Sequence, residues 1–127
     1  MHGNDKKHIV IVEDNISLCD VMRAYFELNY RVTVFPDGET CLAEVQNLKD
    51  ADIFLLDYQL AHMSGIELFM ALKPQLPNAK FMFTTGFLDP DIAEEGHRLG
   101  FDALILKPFD FPILEKNIQN LLQAQTV

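Results

Sequence analysis

The sequence predicts a doubly wound α/β domain, a five-stranded parallel sheet covered on both faces by five helices. Three observations predict it. Short, wholly apolar runs such as Ile9-Val10-Ile11-Val12 suit strands buried on both faces. Longer segments of helical period separate them, and the connections are short. Parallel neighbours need crossovers, so strict βα alternation argues for this architecture. With 127 residues the chain fits one domain spanning 1–127, and its 49% apolar and 23% charged residues are ordinary for a globular protein. Loose ends are expected at 1–7 and 124–127.

The first strand is Ile9 to Val12. Asn15 can cap a helix that places Leu18, Val21, Met22, Tyr25 and Phe26 on one face. Arg31 to Phe35 forms the second strand. After the turn signal Pro36-Asp37-Gly38, a second helix carries Cys41, Leu42, Val45 and Leu48. Ile53 to Leu56 is the third strand. Ser64 and Glu67 form a capping-box signature for a helix through Ile66, Leu68, Phe69 and Leu72, stopped by Pro74. Phe81 to Thr84 is the fourth strand. Asp89 and Pro90 open a helix that runs to about Leu99, with Gly100 suited to a left-handed position beyond it. Ala103 to Leu106 is the fifth strand, and a last helix from Phe111 to Gln123 places Ile113, Leu114, Ile118, Leu121 and Leu122 together.

Ten basic against nineteen acidic side chains give a net charge of −9, which opposes contact with nucleic acid or anionic membranes. No apolar stretch reaches the ~20 residues needed to span a bilayer, and the start lacks the apolar region of a signal peptide. A cytoplasmic protein is expected. Cys19 and Cys41 lie within helical segments without a second ligand at metal spacing, so they read as reduced packing residues. The four histidines show no metal-binding pair, and Met63 and Phe69 read as packing.

In open parallel sheets, ligands bind beyond the carboxyl ends of the strands. Those ends carry the polar chemistry: Glu13-Asp14 after the first strand, Asp57 after the third, Thr85 after the fourth, and Lys107-Pro108 after the fifth. Three carboxylates brought together raise one another's pKa unless a cation neutralises them. Oxygen donors with few protein ligands suit Mg²⁺ better than zinc. A carboxylate beside Mg²⁺ and a lysine is what an aspartyl phosphate requires, because both cations screen the incoming phosphoryl oxygens. Asp57 is the central candidate, with Thr85 able to donate a hydrogen bond to a phosphoryl oxygen and Gly86 leaving room for backbone amides.

The segments IVIVEDN at 9–15, DYQLAHMSGIEL at 57–68, FTTG at 83–86 and LKPF at 106–109 resemble the receiver domains of two-component response regulators, chemotaxis-regulator-like in type. The resemblance covers nearly the whole chain. It implies a flavodoxin-like sheet of order 2-1-3-4-5. It also implies a Mg²⁺ site made by Glu13, Asp14, Asp57 and the backbone carbonyl of Gln59, with Asp57 as phosphoacceptor, Thr85 as hydroxyl switch and Lys107 before a cis Pro108. The implied donor is a histidine kinase or histidine phosphotransfer protein, and the implied readout face is helix four, strand five and helix five. The chain then promotes only its own phosphorylation and dephosphorylation. A homodimer formed on phosphorylation is a further possibility in this family, and the output is either another protein or a fused domain.

Two positions depart from the pattern. Ala61 stands where a proline is usual, while Gly65 is kept. Leu104 replaces the aromatic three residues before the lysine, and leucine cannot make the ring flip that links the threonine to the output surface in many members. Phe101 and Phe109 are the neighbouring rings that could compensate. Phe87 lies where an apolar group could shield an acyl phosphate from water, so slow self-dephosphorylation is expected. Other classes are disfavoured: an aspartate-nucleophile phosphatase needs a second aspartate where Gln59 stands, and a flavin carrier would not place Asp14 against a phosphate. An interaction module that is never phosphorylated is the remaining alternative.

Overall fold

A computed structural model describes residues 6–87 and 89–123. In chain order the elements are β1 (His8–Val12), α1 (Ile16–Phe26), β2 (Arg31–Phe35), α2 (Gly38–Ala43), a 3₁₀ turn (Val45–Leu48), β3 (Ile53–Asp57), α3 (Gly65–Leu72), β4 (Lys80–Thr85), α4 (Pro90–Leu99), β5 (Ala103–Leu106) and α5 (Phe111–Gln123). All pairings are parallel, as the βα alternation predicts, and the sheet order is β2-β1-β3-β4-β5, as the family resemblance implied. Most of the expected loose ends, 1–5 and 124–127, lie outside the described residues. Lys7 is already tied in, its carbonyl accepting the Arg31 N–H at 2.9 Å.

Alternation along the central strands builds two apolar layers. Val10, Val12, Phe54, Leu56, Phe81 and Phe83 face one helical layer with Leu68, Phe69 and Leu72 of α3. Ile9, Ile11, Ile53, Leu55 and Met82 face the other, with Met22 and Phe26 of α1 and Leu114 and Ile118 of α5. Each such large side chain contributes about 1.5–3 kcal/mol by leaving water, which is why β1 and β3 are apolar at nearly every position. No helix among the described residues is long and apolar enough to cross a membrane.

The predicted caps form as read. Asn15 accepts from the Leu18 N–H, Ser64 and Glu67 close a reciprocal capping box, and Asp89 caps α4, which ends at Gly100 with φ 92°. The predicted second helix is instead broken after Ala43. Glu44 leaves the helical region and a 3₁₀ turn follows, whose three-residue period stacks Val45 over Leu48 so that both stay buried. Two orientations also differ from expectation. Val21 and Ile113 are exposed, because the buried rows of their helices run through Cys19, Met22 and Phe26 and through Leu114, Ile118 and Leu122. Both cysteines are buried, and burial pushes the Cys41 thiol up to about 12.

Candidate functional site

β1 and β3 are adjacent, so their carboxyl ends deliver Glu13 and Asp57 side by side. One oxygen from each of Glu13, Asp14 and Asp57 lies within 4.8 Å of the other two. Glu13 and Asp57 are buried while Asp14 is exposed, which gives the cluster a wall and an open side. The loop after β1 is held from both directions. The Cys19 thiol donates to the Glu13 carbonyl at 3.1 Å, and the Asn15 N–H donates to Glu13 Oε2 at 3.1 Å.

The chain leaving β5 brings a cation, Lys107. The end of the strand is fixed by the Lys107 N–H donating to the Thr85 carbonyl at 2.7 Å, and the peptide to Pro108 is cis, as expected. Lys107 Nζ then reaches Glu13 Oε1 at 2.8 Å and Asp57 Oδ2 at 3.1 Å. Burial works to lower the pKa of this ammonium, but the hydrogen bond to Glu13 and the charges of Asp57 and Glu13 outweigh it and raise it. The Glu13 carboxyl is pushed up, first by burial and further by the Asp57 charge, against the opposing pull of Lys107 and the Asn15 N–H. Lys107 pairs with two of the three clustered carboxylates, and a further cation would relieve the set.

The donor set fits a hard divalent ion: clustered carboxylate oxygens, with no nitrogen or sulfur among them. Gln59 stands two residues past Asp57 and steadies it, its N–H donating to Asp57 Oδ1 at 3.0 Å. Thr85 is fully buried, and its hydroxyl donates to the Phe87 carbonyl at 3.3 Å. Gly65 is required by close approach, because a Cβ there would stand 2.4 Å from the Asp57 carbonyl oxygen. The loop bearing Ala61 is anchored by buried Leu60 and by the Met63 N–H donating to Glu39 Oε2.

A profile of the response regulator receiver domain matches residues 9–119. The chain belongs to this family. It is a receiver domain of two-component signalling, and its acidic cluster is of the kind that receiver domains use for Mg²⁺. Curated relatives include the transcriptional regulatory protein ZraR of Klebsiella oxytoca, 30% identical over 121 residues, and the response regulator SaeR of Staphylococcus aureus, 29% identical over 116 residues. The alignments take in 94% and 91% of this chain but only 27% and 50% of those proteins, so the chain spans about a quarter to a half of their length. Among solved structures, a CheY-like receiver domain from Methanospirillum hungatei superposes with a TM-score of 0.88 at 27% identity, covering 95% of this chain and 97% of that one. Vibrio cholerae CheY4 shares the fold, with a TM-score of 0.84 at 24% identity over 91% of this chain and 98% of that one.

Leu104, which stands where the resemblance implies an aromatic, is half-buried and packs beside Phe83 and Phe101 in the layer under α3. Phe101 stacks on Phe83 with centroids 3.8 Å apart and meets Phe69 edge-on, so a ring does occupy this region, from the α4–β5 connection. Phe109 packs in the opposite layer. Phe87 is 47% exposed and lines a groove with Tyr58 and Ile92. Sequence reading missed Cys19 as a support of the Glu13 backbone and Tyr58 as a bridge to α4. The only sequence signals were a cysteine six residues past Glu13 and an aromatic next to Asp57.

Proposed function

We propose that this receiver accepts a phosphoryl group on Asp57 from a histidine kinase or a histidine phosphotransfer protein and signals by a shape change. The observation that carries the reading is Lys107 Nζ bridging Glu13 and Asp57 beside Asp14. An Asp57 carboxylate oxygen attacks phosphorus, the donor's P–N bond breaks, and its electron pair stays on the imidazole nitrogen. Lys107 offsets the charge gathering on the phosphoryl oxygens, and the Gln59 N–H holds the other Asp57 oxygen. Glu13, Asp14, Asp57 and the Gln59 carbonyl would hold Mg²⁺, which supplies further charge neutralisation for phosphoryl transfer. The Thr85 hydroxyl can leave the Phe87 carbonyl for a phosphoryl oxygen, altering the loop that leads to α4. The readout face is then α4, β5 and α5.

The approach to the site suits a protein donor. Beside Lys107 lies a hollow of about 520 Å³ lined by Leu18, Gly86, Pro108, Phe109 and Phe111. Leu18 brings α1 to its edge, and Ile16 and Val21 of the same helix are also exposed.

Intact mass spectrometry after incubation with Mg²⁺ and acetyl phosphate tests the reading. Wild type should gain one phosphoryl group and Asp57→Asn none. No gain, with BeF₃⁻ also failing to bind, would leave a docking module that is never phosphorylated.

A further inference from the structure

Tyr58 follows the phosphoacceptor directly and takes no part in the chemistry above. Its backbone N–H continues the β3–β4 ladder, donating to the Thr84 carbonyl at 2.8 Å. Its side chain crosses to α4, where the hydroxyl donates to Glu95 Oε1 at 2.7 Å. The other Glu95 oxygen faces Arg98 at 3.9 Å. Burial and then the Glu95 hydrogen bond push the phenol up to about 12, which keeps it a proton donor.

Little else fastens α4. Of its ten residues only Ile92 and Gly96 are buried. The helix rests on Phe101, so closely that a Cβ on Gly96 would stand 2.4 Å from that ring. The Tyr58 ring joins the same stack, meeting Phe83 edge-on at 6.0 Å while Phe83 stacks on Phe101. Leu104 supplies no ring that could carry the position of Thr85 outward.

We propose that the Tyr58–Glu95 hydrogen bond is a latch that holds α4 in its unphosphorylated position, coupling the phosphoacceptor to the output face where Leu104 cannot. This rests on Asp57 being the phosphoacceptor. When the Thr85 hydroxyl leaves the Phe87 carbonyl, the loop into α4 loses one tether, and the phenol–carboxylate bond breaks as the helix moves. A contact made only in the unphosphorylated state biases the equilibrium toward that state by its own free energy. Removing it must therefore favour the phosphorylated-like state.

The test is calorimetric titration of the full chain with BeF₃⁻ and Mg²⁺, with hydrogen exchange of α4 amides measured before BeF₃⁻ is added. Tyr58→Phe keeps the ring and loses only the hydroxyl. It should bind BeF₃⁻ about three- to tenfold more tightly, the factor expected of one net hydrogen bond, and exchange α4 amides faster while α1 and α5 are unchanged. Glu95→Gln keeps an acceptor but loses the carboxylate charge and its pairing with Arg98, so its BeF₃⁻ affinity should fall between those of wild type and Tyr58→Phe. A purely structural role would instead raise exchange throughout and leave BeF₃⁻ affinity equal or weaker, which would overturn the latch. Wild type that binds no BeF₃⁻ would overturn the phosphoacceptor reading and the coupling with it; wild-type binding with Tyr58→Phe unaltered would sink the latch alone.

Discussion

The two ends of the sheet carry similar side chains and treat them differently. At the amino end, buried His8 places Nδ1 3.2 Å from Asp50 and Nε2 2.7 Å from the Thr33 hydroxyl, while its N–H donates to Asp52 at 2.8 Å. Arg31 pairs with Asp50 at 2.7 Å and Lys7 approaches Asp52 at 4.0 Å. Two carboxylates there meet two permanent cations, and the network closes on itself. At the carboxyl end, Lys107 pairs with Glu13 and Asp57 while Asp14 stands beside them, and no other ion pair reaches these three carboxylates among the described residues. Neither end is marked by an unsatisfied atom, since no buried side-chain nitrogen or oxygen among the described residues lacks a partner. What separates a structural cluster from a chemical one here is uncompensated charge aimed at a common volume.

The sharpest break of that contrast is to neutralise the acid pair. Glu13→Gln with Asp14→Asn should weaken Mg²⁺ binding about a hundredfold or more, because a unit charge pair about 4 Å apart is worth about 4 kcal/mol even at an effective dielectric of about 20. Calorimetric titration with MgCl₂ measures it. The same titration on a His8→Ala variant should match wild type, and equal losses in both would erase the distinction between the two ends.

The carboxyl end was legible in the sequence and the amino end was not. Strand ends in a parallel sheet point to one edge, so Glu13, Asp57, Thr85 and Lys107 could be placed together once β1, β3, β4 and β5 were read from their apolar runs. His8 offered no such cue. Its partners Thr33 and Asp50 are 25 and 42 residues away, and neither sits in a recognisable spacing with it. The same limit hid Tyr58–Glu95, 37 residues apart. Within single helices, periodicity fixed which residues could be buried but not the rotation of the stripe. The period places Val21 and Ile113 with the apolar stripes of their helices, although packing on the sheet turns them outward. The break after Ala43 depends on Glu44 leaving the helical region, which apolar spacing alone does not encode.

Removing the hub of the amino-end network gives a smaller effect of a different kind. His8→Ala leaves the Thr33 hydroxyl and one Asp50 oxygen without their partner and opens space beneath the sheet. The expected cost is about 2–4 kcal/mol in urea unfolding, with the rate of phosphorylation by acetyl phosphate unchanged. A loss of phosphorylation without a loss of stability would mean that the amino end communicates with the site.

The smallest effect is a pH dependence confined to the amino end. The Arg31 hydrogen bond beside Asp50, with His8 as a further partner, holds its carboxyl below the ordinary value of 3.8. A group depressed in the folded state stabilises the fold above its unfolded pKa, and that contribution disappears as pH falls through the folded value. The wild-type advantage over Asp50→Asn should therefore be full at pH 5 and shrink as the pH is lowered below 3.8. Because the Asp50 side chain is half exposed, solvent screens the pair and the shift in melting temperature should be modest. Comparing the two proteins cancels the other carboxylates, which titrate alike in both. An advantage that stayed constant from pH 5 to pH 3 would mean that Asp50 acts there through shape alone, and the charge balance that sets the two ends apart would lose its support at the amino end.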